Sequence, residues 1–199
     1  MTALRRFGLL APLAALSLAG CGLNSVPTAE ENVNAKWGQV QSEYQRRADL
    51  IPNLVETVKG YAKQESSVLI AVTQARADAG RVQLSASDLD DPAKVRAFND
   101  AQGRLTQAII PLQRLQEAYP DLKSNQNFLT LQSQIEGTEN SILVARKDYN
   151  EAVQAYNTRI RTFPDAIGAK IFYGAKPKVP FEAAAGAQTA PKVDFGNAS

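Results

Sequence analysis

Residues 125–163 decide the fold of this chain and read NQNFLTLQSQIEGTENSILVARKDYNEAVQAYNTRIRTF. A period near 3.5 in its apolar residues predicts a long helix that buries one face against partner helices. Because no proline interrupts the stretch before Pro164, we predict one helix that begins at Ser124 or Asn125 and runs to Phe163. Every seventh position holds an apolar or aromatic residue, at Phe128, Ile135, Ile142, Tyr149, Tyr156 and Phe163. A second set lies beside them, at Leu131, Thr138, Ala145 and Ala152.

Two earlier apolar seams predict partner helices within the same chain. Their predicted helix starts are Thr28, with Glu31 three residues on, and Asp91 followed by Pro92. Short polar turns at 85–91 and 119–125 make neighbouring helices antiparallel. The first seam is Val33, Trp37, Val40, Tyr44, Ile51, Leu54, Val58, Tyr61, Leu69 and Val72. The second is Val95, Phe98, Ala101 or Gln102, Leu105, Ile109, Leu112, Leu115 and Tyr119.

Pro52 and Pro111 lie inside these two seams. A proline within a helix removes one hydrogen bond and clashes with the preceding turn. We therefore expect a kink or a short break at residues 49–52 and a second kink near Pro111. The predicted fold is all-α: an antiparallel, coiled-coil-like bundle of three to four long helices.

Composition and charge exclude several classes of protein. Hydrophobic residues make up 44% of the 199 residues and charged residues 21%, as in a folded globular chain. The chain has 22 basic and 20 acidic residues, and two of the basic ones, Arg5 and Arg6, lie in a predicted signal segment that is removed. The remaining net charge is near zero, which argues against a nucleic-acid partner. The chain has no histidine and one cysteine, so it lacks the residues for histidine-dependent catalysis or an ordinary zinc site. We predict no catalytic residue, no metal and no cofactor.

Residues 1–20 are predicted to be a bacterial lipoprotein signal peptide. Arg5 and Arg6 precede an apolar run that is too short to span a bilayer. The residue after the cysteine is Gly22 rather than Asp, which by analogy with enteric lipoproteins favours the outer membrane over the inner one. A plain secretory signal is the alternative. The predicted lipobox, which ends in the residue to be lipidated, is Leu18, Ala19, Gly20 and Cys21.

The rest of the chain divides into three predicted parts. Residues 21–28 are the lipidated N-terminus and tether, and residues 29–165 are the bundle. Residues 166–199 are a C-terminal extension, largely disordered after 183 because its composition is poor in large apolar residues. Four apolar residues of the extension are expected to fold back over the end of the bundle: Ile167, Ile171, Phe172 and Tyr173.

Two blocks of this sequence match a known pattern. The first is RRADLIPNLVETVKGY at 46–61, followed by Glu65 and Ala75-Arg76. The second runs from Tyr119 to Pro164 and includes Thr138-Glu139-Asn140, Tyr149-Asn150 and Tyr156-Asn157. Across residues 30–165 the chain resembles the LemA family. The resemblance implies a helical bundle displayed from a membrane and no particular reaction. Members are often encoded near membrane metalloproteases or TPM-domain proteins, which implies a role in envelope maintenance.

Polar residues in these blocks are candidates for a register or interaction network. One interpretation is an interhelical network that fixes register, and the alternative is a groove that grips a partner peptide or glycan. Asn150 and Asn157 lie a heptad apart beside the seam, and Glu139 and Arg146, also a heptad apart, can face the same neighbour. The full candidate set is Asp49, Asn53, Glu65, Arg76, Glu139, Arg146, Tyr149, Asn150, Tyr156 and Asn157.

The predicted function is a non-catalytic binding or scaffold module. We expect it to be lipid-anchored in the bacterial envelope, facing the periplasm, with a protein partner there. The alternative is an accessory subunit that regulates a membrane protease or an envelope maintenance complex. A peptidoglycan hydrolase would need a special pair of carboxylates, and no pair is marked among Glu56, Glu65, Glu136 and Glu139.

Overall fold

The computed structural model describes residues 24–182. The predicted signal peptide, the lipobox with Cys21 and the residues after 182 lie outside these described residues. Within 24–182 the chain is helical and contains no strand. The helices are α1 (Ser25–Tyr61), α2 (Ser66–Arg81), α3 (Pro92–Arg114), α4 (Pro120–Lys123), α5 (Gln126–Arg159) and α6 (Asp165–Ile171), with 3-10 turns at Ala86–Asp88 and Leu115–Glu117.

The two longest helices, α1 and α5, run antiparallel along their whole lengths. At one end Arg159 Nη1 donates to the carbonyl of Ser25 at 3.1 Å, and at the other Asn125 Nδ2 donates to Tyr61 Oη at 2.8 Å. We call the first the proximal end and the second the distal end. The short helix α2 folds back on the distal half of α1, and α3 returns antiparallel to α2. The predicted all-α antiparallel bundle is confirmed.

The interior divides into two clusters along the length of the bundle. The proximal cluster is rich in aromatic side chains and contains Val26, Trp37, Tyr44, Phe98, Tyr149, Tyr156 and Phe181. The distal cluster is largely aliphatic and contains Ile51, Leu54, Val58, Leu69, Leu105, Ile109, Leu112, Phe128 and Ile135. The first set of heptad residues in α5 is buried: Phe128, Ile135, Ile142, Tyr149 and Tyr156. Leu131 of the second set is only partly buried.

Several predicted helix boundaries are corrected by the structure. Helix α1 begins at Ser25, before Thr28, whose hydroxyl donates to the carbonyl of Asn24 instead of capping the helix. The chain does not divide at Pro52, which lies inside α1; it divides after Tyr61, and a four-residue turn leads into α2. Pro111 likewise lies inside α3. The separate α2 makes this a bundle of four main helices, two long and two shorter.

The ends of the predicted long helix are partly confirmed. Asn125 is the N-cap, because its side-chain oxygen accepts from the backbone N–H of Phe128. The helix ends at Arg159, so Phe163 does not continue the buried seam and is 82% exposed. Asp91 caps α3 as predicted, accepting from the backbone N–H groups of Ala93 and Lys94.

The predicted fold-back of the first apolar residues in the extension is wrong. Helix α6 buries Ala169, while Ile167, Ile171 and Phe172 point to solvent. Among the helices of residues 24–182, none is both long and apolar enough to cross a membrane.

Candidate functional site

A non-helical segment, residues 176–182, lies across the proximal half of the bundle. We call it the strap; its sequence is KPKVPFE. Two of its side chains enter the bundle: Phe181 is 6% exposed and Lys178 is 9% exposed. The strap occupies the level of the proximal half, where α1 and α5 extend beyond the reach of α2.

Asn150 and Asn157 hold the strap through its main chain. The side-chain amide of Asn157 donates to the carbonyl of Lys178 at 2.8 Å and accepts from its N–H at 2.8 Å. Asn150 makes the same pair of bonds with Phe181, at 3.0 and 2.8 Å. Each amide thus satisfies one donor and one acceptor of the same residue, as a neighbouring β-strand would. This recognition reads the backbone and is independent of side-chain identity.

The spacing of these two asparagines selects an extended segment. Seven residues of helix rise about 10.5 Å along the axis. Three residues of chain, from Lys178 to Phe181, cover about 10 Å only when they are nearly fully extended. Pro177 and Pro180 favour such a conformation, because proline fixes its own φ and biases the preceding residue away from the helix.

Further main-chain bonds fix the strap at both sides. Tyr149 Oη donates to the carbonyl of Val179 at 3.0 Å, and the N–H of Val179 donates to the carbonyl of Leu89 at 2.8 Å. Arg146 Nη2 donates to the carbonyl of Glu182 at 2.9 Å. We call the four residues of α5 that grip the strap the clamp: Arg146, Tyr149, Asn150 and Asn157.

An aromatic pocket receives the side chain of Phe181. Its ring lies 5.2 Å from that of Tyr149, 6.0 Å from that of Trp37 and 6.3 Å from that of Phe98, measured between centroids. The guanidinium carbon of Arg146 lies 4.9 Å from the centroid of Phe181, within cation–π range. A smaller side chain would leave this pocket partly empty.

An acidic subsite receives the lysines of the strap. Lys178 Nζ lies 3.0 Å from Glu30 of α1, and Lys176 Nζ lies 3.3 Å from Asp90. The Lys178 pair is the more shielded of the two, since only 9% of the lysine side chain is exposed. The site therefore combines backbone recognition with a basic residue and an aromatic residue three positions later.

Burial keeps the tyrosines of this region neutral. It raises the pKa of Tyr149 well above its usual value of 10.0. The pKa of Tyr156 is raised to about 12 by burial and by the nearby charges of Glu30 and Asp90. The Tyr149 hydroxyl therefore stays protonated beyond neutral pH into the alkaline range, and it donates a hydrogen bond to the strap. Tyr156, which is buried, packs in the proximal cluster and is not part of the clamp.

A buried arginine forms an interhelical polar contact in the middle of the bundle. Arg47 is 1% exposed and links three helices. Its Nη1 donates to Thr106 Oγ1 at 2.7 Å and to Glu139 Oε1 at 2.9 Å, and its Nη2 donates to Gln102 Oε1 at 2.6 Å. Its guanidinium carbon lies 5.1 Å from the centroid of the Tyr44 ring. Arg47 lies between Tyr44 of the proximal cluster and Ile51 of the distal one, so it marks the boundary between them.

The remaining predicted residues lie apart from the clamp. Glu65 accepts from Tyr119 Oη at 3.2 Å near the distal end. Arg76 Nε donates to the carbonyl of Ala48 at 2.7 Å, tying α2 to α1. Asp49 accepts from Gln45 on its own helix, and Asn53 is exposed.

The ten predicted residues therefore do not form a single network. The interhelical interpretation is corrected for Asn150 and Asn157, whose partners belong to the strap. Glu139 and Arg146 also differ in their main partners, since Glu139 pairs with Arg47 while Arg146 contacts Phe181 and Glu182.

Three important residues were missed by sequence reasoning. Arg47 stands where the first seam is thin, between Tyr44 and Ile51, and that gap was the available signal. Phe181 and Lys178 carry no periodic signal, because an extended segment of seven residues repeats nothing. The paired Tyr-Asn steps at 149–150 and 156–157 were the one sequence signal of the clamp.

A second concavity lies where α1, the end of α2 and α3 meet. It is an open cleft of about 360 Å³ whose floor includes Tyr44 and Phe98. Two of its glutamines have partners in the fold: Gln41 donates to the carbonyl of Leu84, and Gln102 accepts from Arg47. The cleft is therefore a weaker candidate for ligand binding than the clamp.

The carboxylates considered for hydrolysis are dispersed. Glu139 pairs with Arg47, Glu65 accepts from Tyr119, and Glu56 and Glu136 pair with neighbours on their own helices. In the part of the chain that is described, no cluster of three or more histidine, cysteine, aspartate or glutamate residues is arranged to hold a metal.

Comparisons with known proteins find relatives of this sequence. A model of the LemA family matches residues 36–195. Protein LemA of Metamycoplasma hominis is 25% identical over 125 residues, which are 62% of this chain and 52% of that protein. The magnetosome proteins MamQ 1 and MamQ 2 of Paramagnetospirillum magneticum are each 26% identical over 157 residues, 71% of this chain and 58% of theirs.

These matches span little more than half the length of each relative, and none of the names is that of an enzyme. The family match, by contrast, covers most of the present chain, including the clamp and the strap. The chain belongs to the LemA family.

Proposed function

We propose that this protein is a lipid-anchored binding module of the bacterial envelope whose clamp takes an extended peptide segment of a partner protein. The observation that carries the proposal is the double hydrogen bonding of Asn150 and Asn157 to the main chain of the strap. Peptide grooves that read backbone in this way gain affinity from the main chain and specificity from side-chain pockets.

The strap is, in this proposal, the resident occupant of the site. Because it is part of the same chain, it competes at an effective concentration on the order of millimolar. A partner segment must therefore bind more tightly, or be concentrated at the same membrane. The strap protects the aromatic pocket until such a segment arrives.

The pockets define the chemistry of the partner segment. It needs a basic residue opposite Glu30 and an aromatic residue three positions later for the pocket of Trp37, Phe98 and Tyr149. Prolines between or before them suit the extended backbone. Arg146 adds a main-chain contact just beyond the aromatic position.

The anchor is proposed from the sequence around Cys21. Leu18, Ala19 and Gly20 precede this cysteine, which stands three positions before the first described residue, Asn24. Two acyl chains hold a protein stably at a membrane, whereas one does so only marginally. Mass spectrometry of the mature N-terminus should find a diacylglyceryl group on Cys21, and an unmodified thiol would refute the anchor.

Peptide competition tests the clamp directly. We expect a synthetic KPKVPFE peptide to bind the full chain carrying Phe181→Ala, in which the resident strap is weakened. Trp37 fluorescence should report binding, because its ring lies against the pocket. The same peptide with alanine for phenylalanine is the control ligand, and Asn150→Leu in the Phe181→Ala background should abolish binding.

Folding of each variant is checked by far-UV circular dichroism, and Lys178→Glu gives a second way to weaken the strap. Absence of peptide binding to both folded variants would reject the proposal. Crosslinking in intact cells then identifies the partner. Recovery of a membrane protease at equal stoichiometry would favour the accessory-subunit function, and the clamp variants show whether that contact uses the strap site.

A further inference from the structure

The proximal end of the bundle carries an exposed apolar face. It consists of Phe163, Ile167, Ile171 and Phe172, whose exposed fractions lie between 53% and 82%. Among residues 24–182, this is a concentration of large apolar side chains that the fold leaves uncovered. Contiguous exposed apolar surface on a soluble domain marks a site that meets a protein or a membrane.

Helix α6 holds this face in a fixed orientation. Ala169 is 2% exposed and packs into the proximal cluster. The N–H of Ala175 donates to the carbonyl of Ala169 at 3.0 Å, which closes the end of the helix against the bundle. Ile167 and Ile171 are four positions apart and so share the opposite side. The apolar face is a built surface of the bundle end.

The same end holds the start of α1. Arg159 joins the two features, since its Nη1 donates to the carbonyl of Ser25 at 3.1 Å and its Nε lies 3.6 Å from Asp165 at the start of α6. Cys21 lies three residues before Asn24, and three residues span at most about 10 Å. A lipid on Cys21 therefore keeps this end within about 10 Å of the bilayer surface.

We propose that the exposed apolar face of Phe163, Ile167, Ile171 and Phe172 docks into the surface of the membrane that carries the anchor. This inference rests on the proposed lipid anchor. Interfacial helices bury such side chains at the boundary between headgroups and acyl chains, with basic residues beside them. Arg161 and Lys170 are exposed at this end and suit anionic headgroups.

Docking fixes how the bundle stands. The proximal end faces the lipid, and the distal half with α2 lies farther from the membrane. Along the clamp, Asn157 and the acidic subsite then lie nearer the bilayer than Asn150 and the aromatic pocket. The basic residue of a partner segment bound in the clamp would lie nearer the membrane than its aromatic residue.

Depth-dependent quenching tests the orientation. The mature lipoprotein is reconstituted in vesicles of phosphatidylethanolamine and phosphatidylglycerol that contain brominated acyl chains. Ile171→Trp places a reporter on the face, and Ile70→Trp is the matched control, since the two isoleucines are 69% and 66% exposed. The buried Trp37 contributes equally to both. We expect quenching at 171 and none above the Trp37 background at 70; an unquenched 171 in anchored protein overturns the inference.

A non-acylated chain separates this inference from the anchor itself. The chain produced without residues 1–20 and carrying Cys21→Ala should retain weak binding to anionic vesicles through the face alone. Adding Ile167→Asn and Ile171→Asn should lower that binding about tenfold, because apolar burial drives interfacial adsorption. Ile70→Asn should leave it unchanged. If the face variants and the Ile70 control bind equally, the face does not dock, whatever mass spectrometry finds on Cys21.

Discussion

The two halves of the bundle solve the same packing problem differently. In the distal half, α1 and α5 bury their seams against α2 and α3, and the fill is mostly leucine, isoleucine and valine. In the proximal half α2 is absent. There the strap completes the core, and the core is rich in aromatic side chains. Helix α2 covers the core of the distal half, and the seven-residue, non-helical strap covers the core of the proximal half.

The element that closes each half determines what that half can bind. A helix satisfies its own backbone and needs only apolar contact. A strap has main-chain groups that need partners, so the helix beneath it must supply amides. Asn150 and Asn157 meet that need. A site that recognises one extended main chain is chemically suited to another, which a packed helix seam is not.

Removing one buried phenylalanine from each half should have the largest effect and separate the halves. Phe181→Ala and Phe128→Ala should each lower the free energy of unfolding by about 3–5 kcal/mol. Amide hydrogen exchange should show lost protection in residues 26–44 of α1 for the first variant and in 51–61 for the second. Equal loss in both halves for both variants would mean that the bundle is one cooperative unit.

Arg47 at the boundary should couple the halves. Arg47→Ala leaves Gln102, Thr106 and Glu139 without their partner, and we expect a loss of about 3 kcal/mol in urea unfolding. The Arg47→Met, Glu139→Leu double variant should lose less, because it removes both charges and keeps volume. A double variant as unstable as Arg47→Ala would contradict this account of the pair.

The clamp asparagines should have a smaller effect, confined to the proximal half. Asn150→Leu or Asn157→Leu leaves one N–H and one carbonyl of the strap unpaired, which costs about 1–3 kcal/mol. Helix content should be retained in the far-UV spectrum. Asn53→Leu, at an exposed position of α1, is the control and should change stability by less than about 0.5 kcal/mol. Equal effects at 53 and 150 would remove the special role of the clamp.

Alkaline pH should destabilise the proximal half. The tyrosine substitution that tests this should have the smallest effect of the series at neutral pH. Burial raises the pKa of Tyr44, Tyr149 and Tyr156, the last to about 12, so folding disfavours their ionised forms. The stabilising contribution of each tyrosine is complete below the unfolded pKa near 10 and is lost as pH rises through its folded pKa, which for Tyr156 is about 12.

Tyr149→Phe should make the free energy of unfolding fall less steeply above pH 10. At pH 7 it should lose only about 1 kcal/mol, for the bond to Val179. Urea unfolding from pH 7 to 11 measures both. An unchanged alkaline slope would exclude Tyr149 as a contributor.

The helical part of this fold was readable from the sequence. Heptad spacing placed Phe128, Ile135, Ile142, Tyr149 and Tyr156 in the core, because helix periodicity is a local property. Asp91 and Asn125 predicted helix starts, because an N-cap is also a local signal. The break predicted at Pro52 was wrong, because a proline lowers helix propensity without ending a helix whose two faces are packed by neighbours.

Only part of the clamp could be predicted from the sequence. The sequence indicated that Asn150 and Asn157 matter and offered a groove as one interpretation. It gave no partner, because the strap is joined to the clamp by long-range contacts that leave no periodic pattern. Arg47 was hidden in a seam of apolar residues, where a buried charge is expected only if its partners on two other helices are already known.

The position of Phe181 has a consequence for the order of events during synthesis. Trp37 emerges early, while the ring that packs on it is made near the opposite end of the described chain. Domains fold as units, and contacts between distant positions form late. The distal half can assemble once α5 is made, but the proximal half stays open until the strap follows. In that interval its aromatic pocket is exposed, so this end of the molecule is where a chaperone would be needed.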